Sequence, residues 1–145
     1  MAVNIIRFMS LFFVALALIP VGAHLAELLN KINLPREQYL VVQQIYRGWA
    51  LWGVVIFGAL LSTLLLTFTN RDDSKRFTFS LVAFLCIIGT QIIFWTFTYP
   101  ANVATQNWTM LPDNWLELRW QWEYSHAASA VLNIIALIVT ILAVL

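Results

Sequence analysis

His24 and Glu27 stand three residues apart, and Glu123 and His126 repeat that spacing near the other end of the chain. On a helix, positions i and i+3 share a face, so each pair presents one imidazole and one carboxyl together. If the two faces meet, two imidazoles and two carboxyls share one chamber. Three roles suit such a set. The first is a hydrogen-bonded and ion-paired network that only joins helices. The second is a metal site, since Glu-x-x-His pairs on facing helices build the carboxylate-bridged centres of helical bundles. His24, Glu27, Glu123 and His126 are enough for one transition ion such as zinc, iron or copper, with a position left open. A two-metal site is short of carboxylates, because the middle of the chain offers only Gln43, Gln44, Gln91 and Asn102. The third is an acid–base or ligand pocket without metal. There His126 is base or ligand, Glu123 orients it or shares the proton, and Arg47 or Arg119 stabilises an oxyanion.

These residues must be positioned by apolar segments. Of 145 residues, 61% are hydrophobic and 10% charged, against about 25% charged in an ordinary soluble domain. The natural solvent for such a chain is lipid. The expected fold is all-α: one domain, residues 1–145, forming an integral membrane antiparallel four-helix bundle. The spans fall at about residues 4–29, 40–69, 77–99 and 122–145. Arg7, the apolar run Leu11 to Ile19 and Val21-Gly22-Ala23 have the outline of a secretory signal. The segment is read instead as a retained first span, bent at Pro20.

Segment two, read as one helix from about Pro35 to Asn70 with Asn33 as a cap, would be roughly 50 Å long, more than the hydrocarbon core needs. Helices two and four are therefore expected to extend beyond the outer membrane surface. Segment three ends before Pro100, and residues 101–112 read as a loop. Asn114 and Glu117 have capping-box spacing. Asn133, deeper in the last span, reads as a helix–helix hydrogen bond.

Arg7, Arg71, Lys75 and Arg76 fall on one side, and Lys31, Arg36 and Arg119 on the other, with Arg47 near the boundary. That bias places both termini in the cytoplasm. The tryptophans then crowd the outer interface, where an aromatic belt explains most of them without a ligand. A net charge of +1 gives no field for nucleic acid. The single cysteine, Cys86, reads as packing.

With Asn107-Trp108, the Trp115 to Arg119 stretch and Trp122-Glu123-x-x-His126 in view, the chain resembles the anthrone-oxygenase-like family of small four-helix membrane proteins, most of which have no assigned function. The resemblance implies a pocket formed by the third loop and the start of helix four. It also implies oxygenation of a reduced polycyclic phenol, with roles for Asn107, Arg119, Glu123 and His126. His24-x-x-Glu27 and Gln43-Gln44-x-Tyr46-Arg47 point to a subgroup with its own substrate.

The expected function is thus an oxygenase or oxidoreductase acting on an apolar aromatic or quinone-like molecule from the bilayer. Trp95, Trp108, Trp115 and Trp122, with Asn102 and Asn107, would hold its ring. The alternative is a non-catalytic subunit or scaffold, as a homo-oligomer or within a larger membrane complex. A channel or transporter fits less well, because the inner halves of the spans carry no acidic residue for a relay.

Overall fold

Apolar runs in lipid must satisfy their own backbone, and a helix does so within one segment. The computed structural model describes all 145 residues, and every regular element is a helix. Helix α1 spans Ala2–Lys31 and carries Pro20 within it. A short α2 (Arg36–Gln43) follows, then two 3₁₀ turns, Gln44–Tyr46 and Trp49–Trp52, and α3 (Gly53–Thr69). Next come α4 (Ser74–Ile93), a π turn (Phe94–Thr98), α5 (Tyr99–Ala104) and α6 (Trp115–Val144). Four stretches are long and apolar enough to cross a membrane: Ala2–Lys31, Trp49–Thr69, Ser74–Ala104 and Trp115–Val144. They mark a multi-pass membrane protein.

Helix α1 packs on α3 and α6, and α4 packs on the same two. The four long helices thus form a ring in the order α1, α3, α4, α6. Its centre is built from small or branched side chains: Val14, Ala17, Ala59, Ile87 and Ala136. Small residues let helices approach closely in lipid, where dispersion contacts replace the hydrophobic drive. Gly58 is required for this approach, because a Cβ there would stand 2.6 Å from the Phe13 ring. Large apolar side chains such as Phe8, Phe57, Ile92 and Ile138 point outward, as a lipid-facing surface requires.

Four expectations about the elements are corrected. Segment two is not one helix from Pro35 to Asn70. Arg47 is extended, and Gly48 takes φ +86°, a left-handed conformation open to glycine. The chain turns there, and α2 packs as a separate piece. The third span does not stop before Pro100. It continues through the π turn to Ala104, because a proline at the start of α5 needs no helical donor. The capping box does not form, since Asn114 makes no side-chain cap bond. Asn33 caps nothing either, for Pro35 holds that position. Asp73 is the side chain that does cap, accepting from the Lys75 and Arg76 amides at 3.1 Å.

A second core sits at the end where α1 finishes and α6 begins. Tyr39, Ala101, Trp108, Leu111 and Trp122 pack together there. This cap joins α2, α5 and the connection before α6.

Candidate functional site

Lys31 ends α1 with its ammonium buried, and it organises the cap. It lies seven residues beyond His24 and four beyond Glu27, on the same helical face. Its Nζ is 2.7 Å from the Tyr46 hydroxyl, 3.3 Å from Glu123 Oε1 and 3.5 Å from both Glu27 Oε2 and His24 Nδ1. It also sits over the rings of Tyr46 and Trp122, at 4.5 and 5.0 Å. Both carboxylates therefore have a cation, supplied from within the chain.

A directed chain of hydrogen bonds extends from this centre. Gln43 Nε2 donates to the Tyr39 hydroxyl at 2.5 Å, and that hydroxyl donates to Glu123 Oε1 at 2.8 Å. Since Tyr39 gives its only proton to the carboxylate, Gln43 must offer its amide N–H, which leaves its oxygen free. The Tyr46 hydroxyl donates to Glu27 Oε2. Burial, then the Glu123 charge, pushes the Tyr39 hydroxyl far above its ordinary pKa. Burial and the bond to Glu27 do the same for Tyr46. Both phenols stay protonated and act as donors.

The imidazoles come together. The His24 and His126 rings lie 4.2 Å apart between centroids, and each meets Trp122 edge-on, at 4.7 and 4.3 Å. Asn102 fixes that indole, because its Oδ1 accepts from Trp122 Nε1 at 2.8 Å and from Trp108 Nε1 at 3.2 Å. Gln106, Asn107 and Trp108 all take positive φ, between 49° and 60°. Three successive non-glycine residues in that region are costly. The Asn107 amide to Asn102 O (2.6 Å) and the Trp108 amide to Thr105 Oγ1 (3.1 Å) hold the turn. It drives the Trp108 ring into the cap.

Below the cap lies a cavity of about 870 Å³, within the usual range for small-molecule sites. His24, His126 and Trp122 line its upper wall, and Pro20, Ile56, Phe57 and Leu60 line much of the rest. Two buried acceptors on its wall have no partner: Gln43 Oε1 and Asn133 Oδ1. Asn133 does not bridge helices as expected. Its Nδ2 donates to Ser129 O one turn back on α6, so its oxygen is left toward the cavity.

Several site expectations are redistributed. Glu27 and Glu123 stand behind the imidazoles, bound to Lys31 and tyrosine, and neither lines the cavity. Arg47 pairs with neither glutamate; it is exposed at the rim, 3.3 Å from Gln44 Oε1. Arg119 is buried away from the cavity, donating to Leu34 O at 2.8 Å and stacking on Trp115 and Tyr39. Trp115 belongs to that stack, while Trp95 and Asn107 lie at the exposed rim. The residues do not fit a metal. No three His, Cys, Asp or Glu side chains converge as ligands, and the Lys31 ammonium stands among the four candidates.

Lys31 and Tyr39 were not foreseen as site residues, and Gln43 and Tyr46 were singled out only as part of the Gln43-Gln44-x-Tyr46-Arg47 element. For Lys31 the signal was its stripe with His24 and Glu27. For Tyr39 there was none without the turn at Gly48. No family model, no curated protein and no solved structure matches the chain.

Proposed function

We propose that this protein binds a small aromatic molecule bearing hydroxyl groups, phenol- or quinol-like, drawn from the bilayer. The observation that carries the reading is one wall of the cavity. It brings two imidazoles and two unpartnered amide oxygens, on Gln43 and Asn133, to a space whose other lining mixes indoles and aliphatic side chains with polar ones such as Thr90, Gln91 and Ser129. A buried acceptor without a partner destabilises by about 1–3 kcal/mol, and a ligand hydroxyl relieves that. An apolar ring suits the indoles and aliphatic side chains around it.

On this reading an imidazole takes the proton of a bound hydroxyl. Its partner imidazole and the Lys31 cluster hold the ring in place. As an oxidoreductase, the protein would let a bound quinol pass two electrons and two protons to one dioxygen brought to the same cavity, giving quinone and hydrogen peroxide. The resemblance through Trp122-Glu123-x-x-His126 supports a phenolic substrate. The four spans would cross the membrane as an antiparallel bundle with both termini cytoplasmic. The cap, with α2 and the first turns of α6, would stand at the outer surface.

The test uses tryptophan fluorescence, since five of the seven tryptophans line the cavity. Purified protein in nanodiscs is titrated with a short-chain benzoquinol. Saturable quenching is expected, weakened about tenfold or more by Ser129→Leu, which fills the cavity. Quenching that rises linearly, with no difference between wild type and a folded variant, reports partition alone and overturns the reading. Co-purification with a larger complex, without saturable quenching, would favour the scaffold role.

A further inference from the structure

The cavity is not closed on all sides. Its wall toward α1 and α6 is formed by His24, Trp122, Ser129 and Asn133, all buried. On the opposite side, lining residues are also surface residues: Phe57 of α3 is 68% exposed and Trp95 of the π turn is 61% exposed. Ala50 and Gly53, above Phe57, are exposed as well. One opening therefore lies sideways, between the upper part of α3 and the π turn, within two of the stretches able to cross a membrane. A π turn replaces the regular helical ladder at that edge, and such turns gather at functional sites. A second, polar opening lies at the cap, where the exposed Arg47, Gln106, Asn107 and Thr109 also line the cavity.

The sideways mouth continues into a groove. Gly53, Ile56, Phe57 and Leu60 line the cavity at i, i+3, i+4 and i+7, one helical face about 10 Å long. Apart from glycine this face of α3 is wholly apolar, while α4 contributes Thr90 and Gln91 to the lining. A ring with hydroxyls has no use for a long apolar slot below the polar wall. A chain attached to the ring does. Its methylenes keep an apolar environment throughout, so leaving the head in the cavity and the chain in lipid costs no desolvation.

We infer that the ligand is a tailed phenol or quinol, an aromatic head on a long alkyl or prenyl chain, that enters sideways from the bilayer and leaves its tail in the gap between Phe57 and Trp95. This rests on the cavity as the ligand site and adds the ligand's class and route.

Gly53 supplies a clean test. A Cβ there meets nothing within 4 Å, so the side chain of Gly53→Phe starts in open space at the mouth, and Ala50→Leu is a second blocking variant; thermal unfolding checks that each remains folded. Affinities of a decyl-chain benzoquinol and of tail-free hydroquinone are measured in nanodiscs, each expressed per lipid so that partition cancels. Gly53→Phe is expected to weaken the tailed quinol about tenfold or more and the tail-free one by less than about threefold. Equal effects on both, or an unaffected tailed quinol, overturn the inference. So does a wild type that binds only the tail-free molecule, though the cavity then stands as the site. A wild type that binds neither sinks the cavity reading itself.

Discussion

The two ends of the helix ring use polar side chains in opposite ways. Toward the chain termini, buried hydroxyls bond mostly to their own helix. Ser10 donates to Ile6 O, Thr63 to Ala59 O, Thr67 to Thr63 O, Ser80 to Arg76 O and Thr140 to Ala136 O. The Ser10 hydroxyl, which also lies 2.9 Å from Ser62 O, reaches across to α3. At the cap, polar groups bond to side chains of other elements. Lys31 of α1 meets Glu123 of α6, Tyr39 of α2 meets Glu123, and Thr98 of the π turn meets Ser125 of α6 at 2.7 Å. Polarity alone thus does not mark a site in a membrane bundle. What marks the cap is side-chain-to-side-chain pairing between elements, since buried atoms without a partner occur at both ends, on Arg7 and Asn70 as well as on Gln43 and Asn133.

The contrast can be broken most directly at Lys31. Lys31→Met leaves Glu123 buried with one hydroxyl, and removing one member of a buried ion pair destabilises by about 3–5 kcal/mol. Thermal unfolding in detergent should show a large loss, and Glu123→Gln in the same chain should restore much of it. A Lys31→Met variant as stable as wild type would mean the pair is solvated.

A smaller loss is expected at Asn102. Asn102→Leu strands two indole N–H groups, but both rings line the cavity, where water can reach them, so the joint loss should stay within the range of a single buried donor without a partner, about 1–3 kcal/mol. Tryptophan emission should shift as Trp122 and Trp108 lose their anchor. An unchanged spectrum would show that packing alone holds the indoles.

At the other end, Thr63→Val removes only a bond within α3, and its effect should stay near the roughly 0.6 kcal/mol typical of polar contacts in membrane bundles. A loss rivalling that of Lys31→Met would erase the distinction between the two ends.

The smallest effect is in pH. Tyr39 and Tyr46 have folded pKa values raised above the unfolded value of about 10, so their contribution to stability is complete below that pH. It falls as pH rises beyond it, because the unfolded chain releases those protons first. Absorbance titration of wild type and of Tyr39→Phe should therefore coincide up to about pH 11. A missing tyrosinate signal in the variant would show that Tyr39 titrates normally.

Much of this contrast is legible in sequence, and the rest has a physical reason for being hidden. Four apolar runs give four helices, because lipid leaves the backbone no other partner. His24 and His126 are readable as facing residues from their depth in the first and last spans. Lys31 shares a helical face with His24 and Glu27, yet as a bare charge it reads as part of the connection. Tyr39 and Gln43 reach the site only because Gly48 adopts a left-handed turn that breaks segment two. A run of helix-compatible residues does not announce that turn. Pro100 misleads in the other direction, since it reads as a stop and is absorbed at the start of α5.

The chain has two histidines, so an imidazole ¹⁵N spectrum assigns itself with a single His126→Gln variant. Titrating a tailed benzoquinol into ¹⁵N-histidine-labelled protein in nanodiscs should move the resonances of both rings together, to one saturating endpoint. Resonances that stay fixed while the quinol fills the bilayer would contradict a ligand bound against His24 and His126.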